Sequence, residues 1–533
     1  MSDQTNPGET ETDFEVGQDN IETQIGPFGL DIHNPVFLIS GLAIVAFVLG
    51  TLMVPQAATE LFNSMRGWVT VNFDWFFLSA GNLFVLFCLL LVVTPLGAVR
   101  LGGVDATPDY GYAGWFAMLF AAGMGIGLMF FGVSEPISHY ASSVAETAGT
   151  AESWAPLAGA PGDAAAAAQL GMAATIYHWG LHPWAMYAVV ALALAFFSYN
   201  RGLPLSLRSA FFPLFGDRVW GWFGHMVDVL AVLATLFGLA TSLGFGASQA
   251  NAGLNFLFGI EDSSGTKIIL IIGITAIALI SVVRGLDGGV KRASEINMVL
   301  AFLLLIFVLF VGPTADLLKG FFSGIGAYVT NLPALSNPFG RTDANFSQGW
   351  TSFYWAWWIS WSPFVGMFIA RVSRGRTVRE FIICVLLIPS LVCALWMTVF
   401  GGTALSQIVV EGYTGAQDAA TELRLFAMLS ELPLTQITSA IGIILVVVFF
   451  VTSSDSGSLV IDTITAGGKT DGPMPQRVFW CVFEGLVAIT LLLGGGLAAL
   501  QAMAVTTGFP FAAVLLLMCV SIWKGLSAER KLM

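Results

Sequence analysis

The chain has 533 residues, of which 56% are apolar and only 10% charged, against about 25% charged in soluble domains, and its mean hydropathy is +0.80. A soluble chain of this length could not cover its cores with so few polar side chains, whereas lipid solvates outward apolar faces directly. Soluble enzyme, nucleic-acid binder and secreted disulfide scaffold are excluded, and the net charge of −13 argues against a polybasic lipid-binding tail.

Residues 1–34 hold eight acids and no Lys or Arg, so they are expected to form an acidic, disordered cytoplasmic tail. No basic stretch leads into an apolar run there, and no cleaved signal peptide is expected. Apolar runs matched to the roughly 20 residues that cross a bilayer then predict twelve spans. They lie at 36–55, 74–97, 112–134, 172–197, 222–247, 267–283, 296–313, 349–370, 381–404, 435–454, 478–497 and 503–523. The fold class is thus an all-α integral membrane protein. Two peripheral helices (35–111) precede a first five-helix block (112–316) and a second one (349–523). Between the blocks, 317–348 combines clustered apolar side chains with polar ones, which predicts an amphipathic helix and loop on the outer interface. A short cytoplasmic tail, 524–533, closes the chain.

With the N-terminus inside, cytoplasmic connections hold 16 Lys and Arg and outer ones 5. By the positive-inside rule both termini are cytoplasmic, in a cell inner (plasma) membrane. The five cysteines all fall in apolar runs without metal-ligand spacing and read as small core hydrophobes.

Three spans are not plain. Gly123-Met124-Gly125-Ile126-Gly127 places three glycines at alternate positions. Each weakens a helix by roughly 1 kcal/mol relative to alanine, and the alternation is not the small-xxx-small spacing of packed helices. Local unwinding is the reading, with close packing as its rival; unwound backbone survives in a membrane only where it lines a cavity or ion site. Span 349–370 contains Trp355-Ala356-Trp357-Trp358-Ile359-Ser360-Trp361-Ser362-Pro363, and its proline with two serines predicts a second discontinuous helix. The third ends Phe449-Phe450-Val451-Thr452-Ser453-Ser454-Asp455-Ser456, either a binding segment or a solvated helix end. Breaks five spans apart suggest two five-helix repeats of opposite topology, spans 3–7 and 8–12, with a site near the midplane.

Aromatic residues indicate what such a site would hold. Trp184 and Tyr187 are three apart on one helix face with Trp179 just over a turn earlier, and Trp358 and Trp361 share the same spacing. Interface belts explain tryptophans near span ends but not these mid-span clusters. A quaternary ammonium offers no N–H, so stacked ring faces are its matching partner, at ~0.5–2 kcal/mol per ring. Freed N–H groups of the glycine run would meet a carboxylate on the same solute. His178 and His182 stand at i, i+4 without a third ligand in that span; hydrogen bonds to neighbouring helices are expected of them rather than a metal.

The segments GMGIGLMFFGVSEP (123–136), HWGLHPWAMY (178–187), WAWWISWSPFVGMFIARVSRGRTVREF (355–381) and FFVTSSDSGS (449–458) resemble the betaine/choline/carnitine transporter family across nearly the whole chain. The resemblance implies twelve spans with a five-plus-five inverted-repeat core, assembled as a homotrimer. It implies a substrate box of Trp179, Trp184, Tyr187 and Trp358, with Trp357 and Trp361 on the inward path and Met124 and Gly125 at the unwound run. A sodium site would comprise Ala121, Met124, Phe449, Thr452 and Ser453. Choline-type members tend to carry Asp where this chain has Gly127, and the sodium-independent carnitine exchangers a basic side chain in the fifth span, which is absent between Asp228 and Ile260. Osmotically regulated members often carry a long basic C-terminal helix; with a tail of 524–533, osmotic sensing by such a helix is not expected.

The function expected is therefore sodium-coupled import of glycine betaine by alternating access, with sodium as coupling ion, no cofactor, no enzymatic activity and no nucleic-acid partner. The alternatives are proton-coupled choline or carnitine transport, using Asp455 or Glu135, and a channel or membrane sensor.

Overall fold

An antiparallel hairpin of β1 (Asn20–Ile25) and β2 (Phe28–His33) precedes the helices in the computed structural model, which describes residues 12–26, 28–284 and 290–533. In chain order the longer helices are α1 (Val36–Met53), α2 (Pro55–Val93), α3 (Tyr112–Gly123), α4 (Ile126–Val144), α5 (Ala164–Trp179) and α6 (Leu181–Tyr199). They continue as α7 (Trp222–Phe258), α8 (Ser264–Arg284), α9 (Val290–Val311), α10 (Thr314–Leu335), α11 (Ser352–Val372), α12 (Val378–Val409), α13 (Thr435–Thr465) and α14 (Met474–Leu532). All twelve predicted spans fall largely on these helices.

By length and hydropathy, nine spans qualify among the described helices, with α5 and α6 taken together as one, and the bent pair α3–α4 makes a tenth. Two features separate that number from the predicted twelve. The tryptophans, serines and proline of α11 depress its hydropathy although most of its side chains are buried. The last two predicted spans share α14, whose 59 residues would run about 88 Å if straight, nearly three times the ~30 Å hydrocarbon core. Gly495 and Gly496, at φ 160° and 64°, interrupt it. Similarly, α2 kinks at Phe73, one residue before the predicted start of its span.

Burial orders the helices. Within the apolar stretch of α5–α6, 94% of residues lie inside the protein, and in α7 78% do, against 28% in α8 and in α9. The small-residue-rich α6 (Ala188, Ala191, Ala193, Ala195) and α7 (Gly238, Ala240, Gly244, Gly246) therefore form the centre, flanked by α11 and α14, while α8 and α9 turn mostly apolar faces outward. α10 covers the first part of the segment expected to be amphipathic; its Leu317, Gly324, Tyr328 and Leu335 are buried, and it packs on α5 and α12.

Three expectations are corrected. The disorder expected of residues 1–34 does not extend through 20–33, whose hairpin is pinned to the α13–α14 connection; residues 1–11 lie outside the described residues. Asn20 donates to the Ala466 carbonyl at 2.9 Å, Asp31 and Gln476 exchange two hydrogen bonds, and the Lys469 ammonium reaches Asp31 at 2.6 Å and Glu22 at 2.9 Å. Two of the eight acids, Glu22 and Asp31, thus have a cationic partner, and Asp31 foremost holds the Lys469 ammonium above its ordinary pKa. Second, the polar run 452–456 does not end its helix, for α13 continues to Thr465 with Ser454 and Asp455 buried.

Third, α11 is not discontinuous. It runs unbroken through Pro363, preceded by one turn of π-helix at 347–351. Pro363 removes the N–H that would bond the Ile359 carbonyl, but the Ser362 hydroxyl donates to that same carbonyl at 2.7 Å. One side chain thus repairs what its neighbour removes. Ser362→Ala leaves a buried carbonyl unpaired and is expected to destabilise the protein by about 1–3 kcal/mol, read as a lower Tm in detergent; an unchanged Tm would remove this explanation.

Candidate functional site

The site starts from an interrupted helix. α3 ends at Gly123 and α4 begins at Ile126, bent by 63° at the break. Met124 (ψ 133°) and Gly125 (φ −177°, ψ −175°) are extended. Nothing caps the N-terminus of α4 with a side chain, so first-turn N–H groups remain available and the positive end of a 19-residue helix points at the break. The third glycine has a packing reason: a Cβ on Gly127 would stand 2.8 Å from the Trp179 ring and 2.9 Å from the Trp357 ring. Gly125 is the opposite case, with nothing within 4 Å of a Cβ; its open side faces a cavity.

Aromatic rings gather around that cavity. Trp179 closes α5, and Gly180 (ψ −130°) breaks the chain before α6, where Pro183 withholds the N–H that would have reached back to the Trp179 carbonyl. This break, unlike the one at 124–125, was not expected; the Gly-x-x-Pro spacing at 180–183 was its signal. α11 supplies Trp357, Trp358 and Trp361. Trp358 is the hub: its ring centroid lies 5.1 Å from Trp179 and 5.4 Å from Tyr187, both edge-to-face, and 6.5 Å from Trp184. Trp184 in turn stands edge-to-face on Tyr187 at 5.3 Å.

Seven of the eight predicted substrate residues, Met124, Gly125, Trp179, Tyr187, Trp357, Trp358 and Trp361, line one narrow cavity of about 60 Å³. Trp184 does not; it is 1% exposed and backs Tyr187. Four indole N–H groups are committed to the protein: Trp179 to Glu135 (2.7 Å), Trp357 to Ser242 (3.2 Å), Trp358 to the His178 carbonyl (3.0 Å) and Trp361 to the Gly238 carbonyl (2.9 Å). With those donors occupied, these tryptophans offer the cavity π-surface rather than hydrogen bonds.

A second cavity of about 210 Å³ shares Met124, Gly125 and Trp361 with the first and is lined by all five residues expected at sodium, Ala121, Met124, Phe449, Thr452 and Ser453. The structure brings α3 and α13 together here, with the Thr452 hydroxyl donating to the Phe449 carbonyl at 3.2 Å. Backbone carbonyls and two hydroxyls are uncharged oxygen donors, the set that suits a hard cation of low charge.

Behind the rings lies a network that the sequence reading named only in part. Glu135 of α4, 0% exposed, meets His178 Nδ1 at 2.6 Å and His139 Nε2 at 3.1 Å with one oxygen. With the other it accepts from the Tyr354 hydroxyl (2.6 Å) and Trp179 Nε1 (2.7 Å). As expected, His178 and His182 bond neighbouring helices; His182 meets Asn82 at 3.0 Å. The partner of His178 is not His182 but Glu135, 43 residues away, and the ligand atoms of Glu135, His139 and His178 lie within 4.8 Å of one another. The 2.6 Å contact is shorter than the ~3.3 Å between two ligands on one tetrahedral zinc with bonds near 2.0–2.1 Å; hydrogen bonding describes this triad.

The fold and site are those of a multi-pass membrane carrier, a broken helix facing aromatic rings. Comparison with known proteins agrees: the profile of the betaine/carnitine/choline family transporters matches residues 35–531, and the chain belongs to that family. It is 67% identical over 525 residues to a glycine betaine/proline/choline transporter of Vibrio parahaemolyticus, covering 98% of this chain and 95% of that one. Glycine betaine transporter 1 of the same species is 55% identical, covering 98% of each chain. Glycine betaine transporter OpuD of Bacillus subtilis is 42% identical, over 93% of this chain and 95% of its own. The family consists of transporters, not enzymes.

The two glycines give a contrasting pair. Gly127→Ala forces two indoles apart and is expected to cost about 1–3 kcal/mol, seen as a lower Tm, whereas Gly125→Ala leaves Tm near the wild-type value. Equal Tm for the two variants would contradict this packing.

Proposed function

We propose that this protein imports glycine betaine together with sodium by alternating access. The supporting observation is the meeting, at one helix break, of indole and phenol faces with free helix N-terminal N–H groups. The trimethylammonium group would lie on the faces of Trp179, Tyr187, Trp357 and Trp358, where each ring contributes ~0.5–2 kcal/mol. The carboxylate would take the N–H groups that open α4. Choline has no carboxylate to place there, and Gly127 supplies none in its stead; betaine carries its own. The names of these three relatives all include glycine betaine, one of them beside proline and choline, and support glycine betaine as a solute.

Sodium would be held by the carbonyls of Ala121, Met124 and Phe449 and the hydroxyls of Thr452 and Ser453. Met124 and Gly125 border both cavities, so a cation that orders the break also shapes the substrate site. That is a coupling free energy, and it is reciprocal: betaine must tighten sodium by the same factor. Spans 3–7 and 8–12 of a twelve-span chain would act as the two inverted repeats, with cytoplasmic termini, in a homotrimer.

The experiment is uptake of radiolabelled betaine by proteoliposomes with sodium and proton gradients imposed separately. Saturable, sodium-driven uptake is expected. Uptake driven by a pH gradient in sodium-free buffer would favour proton coupling, flux without saturation a channel, and binding without uptake a sensor. Trp358→Ala is expected to raise the half-saturating betaine concentration about tenfold or more, and Thr452→Ala with Ser453→Ala to raise that for sodium. Unchanged values would reject the cage and the cation site respectively.

A further inference from the structure

A carboxylate in the middle of a buried membrane helix is costly unless it does something, and Glu135 is placed beside the cage without lining either cavity. Both of its oxygens are occupied. The indole N–H of Trp179 is a donor only, so Oε2 accepts from it, and the Tyr354 hydroxyl converges on the same atom. Oε1 takes the two imidazoles. A carboxylate presents about four acceptor sites, and four groups occupy them here.

These contacts determine where the ring faces point. The bond to Trp179 Nε1 fixes the rotation of an indole whose far edge meets Gly127 and whose centroid is 5.1 Å from Trp358. His178, gripped at Nδ1 by Glu135 and at Nε2 by Thr351 at 2.9 Å, presents its carbonyl to Trp358 Nε1. Tyr354 stacks on His178 at 4.7 Å and stands edge-on to Trp179 at 5.6 Å. One carboxylate thereby ties α4, α5 and α11 together at the level of the rings.

We infer that Glu135 is the positioning residue of the aromatic cage, seating Trp179 directly and Trp358 through His178. The inference rests on the transport reading for its solute, not for its geometry. The test uses the full chain, with Glu135→Ala to remove the acceptors and Trp179→Phe to delete the tether while keeping a smaller ring face. Glu135→Ala is expected to raise half-saturating betaine about tenfold while changing maximal uptake per folded protein much less. In the Trp179→Phe background the same substitution should add clearly less than it does alone, because the two share one interaction. The emission assigned to Trp179, obtained as wild type minus Trp179→Phe, should shift when Glu135 is replaced.

Additive effects, or loss of maximal uptake with unchanged half-saturation, would overturn the inference. Should Glu135→Ala fail to fold, Tyr354→Phe and Trp179→Phe carry the test: a several-fold rise in half-saturation for each supports the seat, and wild-type values for both reject it. A wild-type protein that takes up no betaine would sink the transport reading instead. The Trp179 emission needs no solute, and would still decide for or against the seat.

Discussion

Unpaired backbone in hydrocarbon has no water to turn to, and a helix interrupted inside a membrane must find other partners for its N–H and C=O groups. At Met124-Gly125 this constraint becomes the organising feature of the protein. The break exposes the N-terminus of α4 on one side and leaves the end of α3 beside α13 on the other. Two cavities meet across those two residues, one walled largely by rings and the other bringing the hydroxyls of Thr452 and Ser453 among mostly apolar side chains. The packing around the break follows from it: Gly127 has no side chain because two indoles occupy the space, and α6 and α7 use small residues so that the neighbouring helices approach closely.

The rings are informative for what they withhold. An indole in a membrane protein commonly offers its N–H to whatever needs it. Here those of Trp179, Trp357, Trp358 and Trp361 are bonded to protein acceptors, so a solute bound in that cavity, as proposed, would meet mainly quadrupole and shape. A solute with N–H groups of its own would leave hydrogen bonds behind in water and recover few of them. A fully methylated cation loses nothing of that kind, which is why the arrangement of acceptors behind the rings matters as much as the rings. Glu135 is the strongest of those acceptors, and its burial among four donor groups is what makes a charge tolerable at that depth.

Much of this was legible in the sequence where a single segment carried the signal. The apolar runs located the helices, and alternating glycines located the break in α3–α4. What depended on distant partners was not legible. Pro363 and two serines looked like an interruption, yet the hydroxyl of Ser362 restores the missing bond, a geometry that depends on rotamer rather than on composition. The sequence offered Glu135 only as a titrating group for proton coupling; its partners stand up to 219 residues away and nothing local names them. The hairpin at 20–33 was read as solvated because its acids had no visible counter-charge; Lys469 supplies one from the other end of the chain. Gly180 was passed over because the helix on either side of it has the hydropathy of one continuous span.

The central claim is that ring faces select a methylated cation. The most direct measurement is the dissociation constant, at fixed sodium, of the purified protein for glycine and its N-monomethyl, N,N-dimethyl and trimethyl derivatives, four zwitterions that share one carboxylate and one cationic nitrogen. The account predicts affinity that rises with each methyl group and is greatest for betaine. Affinity that is flat across the series, or falls as N–H groups are replaced, would contradict it.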